Sequence, residues 1–152
     1  MVFNSEAELK AYLLPKIINA VRITELKVYA KTKSTLVDFY GEFSPDEYIR
    51  TNALLHSLKR TGAMPTGNGA IAEVYFDPPS YQTGVMQLQS TPITGRLGYA
   101  TWSGQQVLDT AMAGSHGGFV SGTPIWSTSL GKLGDVEGLL VQELQAQGIP
   151  IG

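Results

Sequence analysis

The apolar positions near the N-terminus follow a helical period. Leu9, Leu13, Ile17 and Val21 recur at four-residue steps with Leu14 and Ile18 beside them, which predicts an amphipathic helix over about 6–21. Ser5 to Glu8 form a capping box at its start, with the Ser5 hydroxyl accepting from the Glu8 amide and the Glu8 carboxylate reaching back to the Ser5 amide. Pro15 lies inside the pattern and lacks the N–H that its turn needs, so a kink near Ala11–Leu14 or a break into two pieces is expected. From Thr24 to Tyr40 the pattern is ambiguous. Leu26, Val28, Leu36 and Val37 fit either period, while Thr32, Ser34 and Thr35 weaken a helix. The later part reads as helix, ending by Gly41.

Ser44, Pro45, Asp46 and Glu47 place a cap, a first-turn proline and two acids in order. They open either a helix through Tyr48, Ala53, Leu54 and Leu58 or a short helical turn feeding a strand. Thr61–Ala70 holds three glycines and a proline, so it reads as a loop or hairpin tip. Ile71–Asp77 reads as a strand stopped by Pro78 and Pro79. A Gly/Pro/Thr-rich loop then covers Ser80–Tyr99. Ser103, with Gln106 at the third helical position, opens a short helix through Val107, Leu108 and Ala111 to Gly114. Ser115–Gly134 reads as glycine-rich loop, and a last helix over Asp135–Gln147 stops at Gly148. The fold expected is α+β: a small antiparallel sheet packed with N-terminal and C-terminal helices, and long glycine-rich loops at 62–69, 95–104 and 114–134. Loops of that length in a compact domain are usually functional or ordered by a partner.

Length then sets the scale, since 152 residues make one domain, 1–152. The charged fraction of 16% is well below the roughly 25% usual for globular domains. So small a polar surface predicts that a partner covers part of it. A net charge of −2 argues against an electrostatic grip on nucleic acid, and no sequence-specific nucleic-acid binding is expected. The chain has no cysteine, which removes disulfides and thiolate metal sites. Its first residues, MVFNSEAELK, carry neither a basic n-region nor an apolar h-region, so a signal peptide is not expected. No apolar run approaches the ~18 residues that span a bilayer, and no membrane partner is expected.

Candidate chemistry is sparse. The two histidines, His56 and His116, have no His-x-x-x-His or Glu-x-x-His companion, so no metal site is expected. His56 reads as a half-exposed helix residue. His116 sits in Gly114-Ser115-His116-Gly117-Gly118, where it reads as a loop-fixing side chain; Ser115 beside it cannot face it as a catalytic serine would. Neither Thr66–Gly69 nor Gly114–Gly118 continues into the Gly-Lys-Ser/Thr of a phosphate loop. Glu73, Asp77 and Asp109 are isolated carboxylates. No catalytic residue, cofactor or metal is expected, and the chain reads as a non-enzyme. Trp102, Phe119 and Trp126, with Tyr99, gather aromatic area in the glycine-rich half, which suits an interface anchor or a core plug.

One stretch resembles a known pattern. Asp38-Phe39-Tyr40-Gly41-Glu42-Phe43-Ser44-Pro45-Asp46-Glu47-Tyr48-Ile49-Arg50-Thr51 resembles the Tyr-Tyr, then Tyr-x-Pro-x-x-Tyr-x-Arg-Thr of small neck and tail-completion proteins, the head–tail connector family of tailed phages and prophages. Leu54–Leu58 matches the segment that follows there. Glu73–Asp77, Gly114–Gly118, Gly122-Thr123-Pro124-Ile125-Trp126 and Gly148-Ile149-Pro150-Ile151 follow in that family's order. The matches run from residue 38 to the end, with Phe39 where tyrosine is usual and no counterpart for 80–101. The resemblance implies a structural virion protein in a homo-oligomeric ring at the head–tail junction or tail end, as connector, neck, tail-completion or tail-terminator protein. Its neighbours would be phage head, neck or tail proteins, and it would be found in the virion and, during assembly, in the host cytoplasm. Interface candidates are Trp102, Phe119, Trp126, Arg50 and Tyr48. Independently of the family, the Arg50 guanidinium could pin 41–47 through carbonyls or Asp46 or Glu47. The competing readings are a small-ligand or carbohydrate-binding module that stacks on Trp102 and Trp126, and a small hydrolase around His116.

Overall fold

The computed structural model describes residues 2–42, 53–77, 85–88, 98–101, 104–116, 120–121 and 124–151. The protein is α+β, as expected. Helix α1 spans Glu6–Gly41 and α2 spans Ala53–Ser57. Strands β1 (Leu58–Arg60), β2 (Met64–Pro65), β3 (Ala70–Ile71), β4 (Val74–Phe76), β5 (Val85–Leu88) and β6 (Gly98–Thr101) follow. After them come α3 (Gly104–Met112), β7 (Ser115–His116), β8 (Val120–Ser121), α4 (Ile125–Leu133) and α5 (Val136–Ala146). The strands pair two by two: β1 with β4, β2 with β3, β5 with β6 and β7 with β8. The last three pairs are antiparallel hairpins. Thr61 N–H donates to Glu73 O at 3.0 Å and Asp77 N–H to Ser57 O at 2.9 Å. This reversed order of partners makes β1–β4 antiparallel as well.

α1 takes in both stretches that the hydrophobic pattern treated separately. Its 36 residues make a rod of about 54 Å. It passes Pro15 without the expected break. Pro15 and Ala11 are both exposed, so the carbonyl that loses its helical donor lies on the water side. At the start, Glu8 N–H donates to Ser5 Oγ at 3.2 Å, while the Glu8 carboxylate accepts from Asn4 N–H at 2.9 Å rather than from Ser5. The ambiguous 24–40 stretch is helical because its threonines are buried and not turned to solvent. Thr24, Thr32 and Thr35 lie at or below 7% exposure, as do Leu36 and Phe39. Thr24 Oγ1 donates to Ala20 O at 3.0 Å, the back-bond by which a helix accommodates a threonine.

Expected loops contain structure. Residues 80–99 hold β5, 95–104 holds β6, and 114–134 hold the β7–β8 hairpin and the nine-residue helix α4, while 61–70 holds the hairpin tip between β2 and β3. Pro124 before α4 and Gly134 after it, at φ +77°, are the punctuation that marks such a helix. Ser44–Thr51 lies outside the described residues. The alternative of a short helical turn feeding a strand is what α2 and β1 form further on.

Contacts group the chain into two units. The first comprises 1–31, 60–75 and 130–152; the second comprises 32–59 and 76–129. Among the described residues, the second unit holds Leu36, Phe39, Leu54, Leu58, Ala111 and Ile125, all buried apolar side chains. The first unit holds one, Ala20.

Candidate interaction surface

The first unit is tied together by polar contacts across long sequence separations. Glu25 carries a carboxylate buried to 2% exposure. Its Oε1 accepts from Gly62 N–H at 2.6 Å and its Oε2 accepts from the Arg60 guanidinium at 3.3 Å. Gly62 reaches that carboxylate from a left-handed backbone, φ +76°, that a side chain would strain. The Arg60 guanidinium also stands 5.9 Å from the Tyr29 ring centre. Two further contacts join α1 to the C-terminal helix: Lys27 pairs with Glu143, and Lys16 Nζ donates to Gln147 O at 2.7 Å. Lys16 Nζ donates to Tyr12 Oη as well, at 2.8 Å. α5 itself starts on an Asp135 cap, which accepts from the Glu137 and Gly138 amides, each at 3.0 Å.

Hydrophobic area in this unit is left uncovered. Val2, Leu9, Tyr12, Met64, Ile71 and Tyr75 are large hydrophobic side chains of this unit that lie exposed. Met64 and Ile71 face each other across the β2–β3 hairpin and are both 47% exposed. No side chain of α5 is fully buried, although Val136, Leu139, Leu140, Val141 and Leu144 are apolar. A groove of about 260 Å³ opens along the first turns of α1. Leu9, Leu13, Leu14 and Ile17 line it with Glu6, Lys10 and Asn68. Lys10 Nζ donates to Asn68 Oδ1 at 3.3 Å and so joins the helix to the hairpin tip.

Of the interface candidates read from sequence, Trp126 is described. It is half-buried on α4, and its ring meets Phe76 edge to face at 6.3 Å between centres. Trp102, Phe119, Arg50 and Tyr48 lie outside the described residues. His116 is on β7, its backbone opposite Val120, and His56 is exposed on α2. Among the described residues no three His, Cys, Asp or Glu side chains converge as metal ligands, and no helix is long and apolar enough to cross a membrane. Sequence reasoning missed the exposure of Leu9, Tyr12, Met64, Ile71 and Tyr75. The helical part carried a signal, since Leu9 and Leu13 were read as part of an amphipathic stripe, and nothing in the pattern said what would cover it.

No protein-family model, no curated protein and no solved structure matches the chain.

Proposed function

We propose that the chain is a structural virion protein of a tailed phage, a subunit of an oligomeric ring at the head–tail junction or tail end. The observation that carries the assembly part of this reading is the distribution of apolar surface. A unit with one buried hydrophobic residue and six large exposed ones is built to be completed by another chain. A monomer would lose little by exchanging such residues for polar ones, whereas an assembly subunit needs them for association. The ring and its place in a virion rest on the ordered motifs from Asp38 to Ile151 and on the low charged fraction of 16%. The chain works as a non-enzymatic part, with its own copies and neighbouring head or tail proteins as partners.

The carbohydrate-binding alternative needs free aromatic faces. Trp126, one of its two platforms, already packs against Phe76. Native mass measurement and negative-stain imaging of the purified chain test the ring, alone and mixed with the products of adjacent genes. The expected result is a closed species above a dimer in at least one mixture. A chain that stays monomeric or dimeric in every mixture would overturn the ring.

A further inference from the structure

Glu6, Leu9, Leu13 and Lys16 follow one another on α1 at steps of three, four and three residues, so they share one face. The row reads acid, leucine, leucine, base. Turned about a two-fold axis at Ala11, it meets itself: Glu6 lies opposite Lys16, and Leu9 lies opposite Leu13, in both directions. We propose that this face is a self-docking site whose occupant is the same face of a second copy of this chain, packed antiparallel.

Two observations choose a second copy as the occupant. The first is charge. Lys10 stands at the i+4 position where it would neutralise Glu6, yet its Nζ is directed to Asn68. Glu6 thus makes no salt bridge among the described residues. Lys16 gives two N–H donors to Tyr12 and Gln147, which leaves its third for an incoming carboxylate. The second is the apolar floor between those charges, where Leu9 and Leu13 line the groove and Leu9 is 38% exposed. Reversed pairing inserts the leucines of each copy between those of the other. Such a contact is isologous and closes at two chains, whereas a ring needs two different patches. The pairing therefore goes beyond the ring reading and does not depend on it.

The test is sedimentation equilibrium of the full chain over a wide concentration range, with far-UV circular dichroism as the control for folding. The wild type should self-associate. Glu6→Lys should weaken the pair about tenfold or more, because it sets lysine against lysine at both ends. Lys16→Glu should do the same, and an equimolar mixture of the two variants should pair again, since each reversed residue then meets its opposite. Leu9→Asn should weaken association too, and it supplies the readout if Lys16→Glu does not fold. A wild type that is monomeric throughout would overturn the proposal in favour of a foreign occupant. So would association indifferent to both Glu6→Lys and Leu9→Asn, or folded reversal variants that fail to pair when mixed. Rings above a dimer that ignore Glu6→Lys would leave the ring standing and this contact refuted.

Discussion

The two units of this chain are held together by different physics. The second has buried apolar side chains, Leu36 and Ile125 at 0% exposure and Phe39, Leu54 and Leu58 at 5% or less, and it has the Phe76–Trp126 ring pair. The first has helix-to-strand and helix-to-helix ties made by charged groups, and its leucines and aromatics are partly in water. Burial of apolar area is non-directional and scales with the area removed from water. Ion pairs fix geometry while contributing little net stability at the surface. A unit that specifies its shape with charges and leaves apolar area free is suited to being finished by contact with another molecule.

The largest expected effect comes from the apolar interior. Ile125→Ala should cost about 2–5 kcal/mol, the range for deleting a buried aliphatic side chain. Leu140→Ala on the half-buried face of α5 should cost about 1–2 kcal/mol, because part of the side chain never left water. Urea denaturation of both variants checks the ordering. Equal losses would break the comparison, since the first unit would then rely on apolar burial as much as the second.

A smaller effect tests the polar ties. In Arg60→Met the Glu25 carboxylate stays buried with Gly62 N–H as its remaining donor among the described residues, and such desertion costs about 1–3 kcal/mol. The guanidinium is partly exposed, so the loss belongs at the lower end of what breaking a wholly buried pair would cost. The double variant Glu25→Gln with Arg60→Met removes the deserted charge and should recover part of the loss, which the denaturation midpoint reads directly. A single variant as stable as wild type would show that Glu25 is not held by this pair.

Local chemistry made part of this fold legible. The Ser5 hydroxyl cap, the Asp135 cap and the stops at Gly114 and Gly148, both at positive φ, act within one turn and were readable from neighbouring residues. The unbroken α1 was not, because burial of Thr32 and Thr35 depends on residues distant in sequence. Helix α4 was obscured by the glycines around it, although Pro124 and Gly134 bracketed it. Glu25 left no local trace either: its partners lie 35 and 37 residues away. For the candidate surface, the periodicity of Leu9 and Leu13 was correct as a helical stripe, but a stripe does not say whether its cover comes from the same chain. Trp126 was identified as an anchor or a plug without its partner Phe76, which lies far along the sequence.

The smallest expected effect concerns Lys27 and Glu143, which join α1 to α5. The lysine is 46% exposed and the glutamate 13%. Water therefore screens one partner well, and holding two long side chains in place has an entropic cost that offsets much of the attraction. Lys27→Met should lower stability by less than about 1 kcal/mol at low salt. Added salt should erase most of that difference, because the Debye length shrinks from ~10 Å at 0.1 M to ~3 Å at 1 M. Thermal melts of wild type and variant at the two salt levels check both points. The contrast with Arg60→Met gives this small number its use. Both changes remove a cation from a carboxylate in the same unit, and the carboxylates differ in depth, Glu25 at 2% exposure and Glu143 at 13%. If Lys27→Met costs as much as Arg60→Met and keeps its effect in 1 M salt, then burial of the carboxylate does not set the strength of these ties. The first unit would then be held by its charges as firmly as the second is by its core.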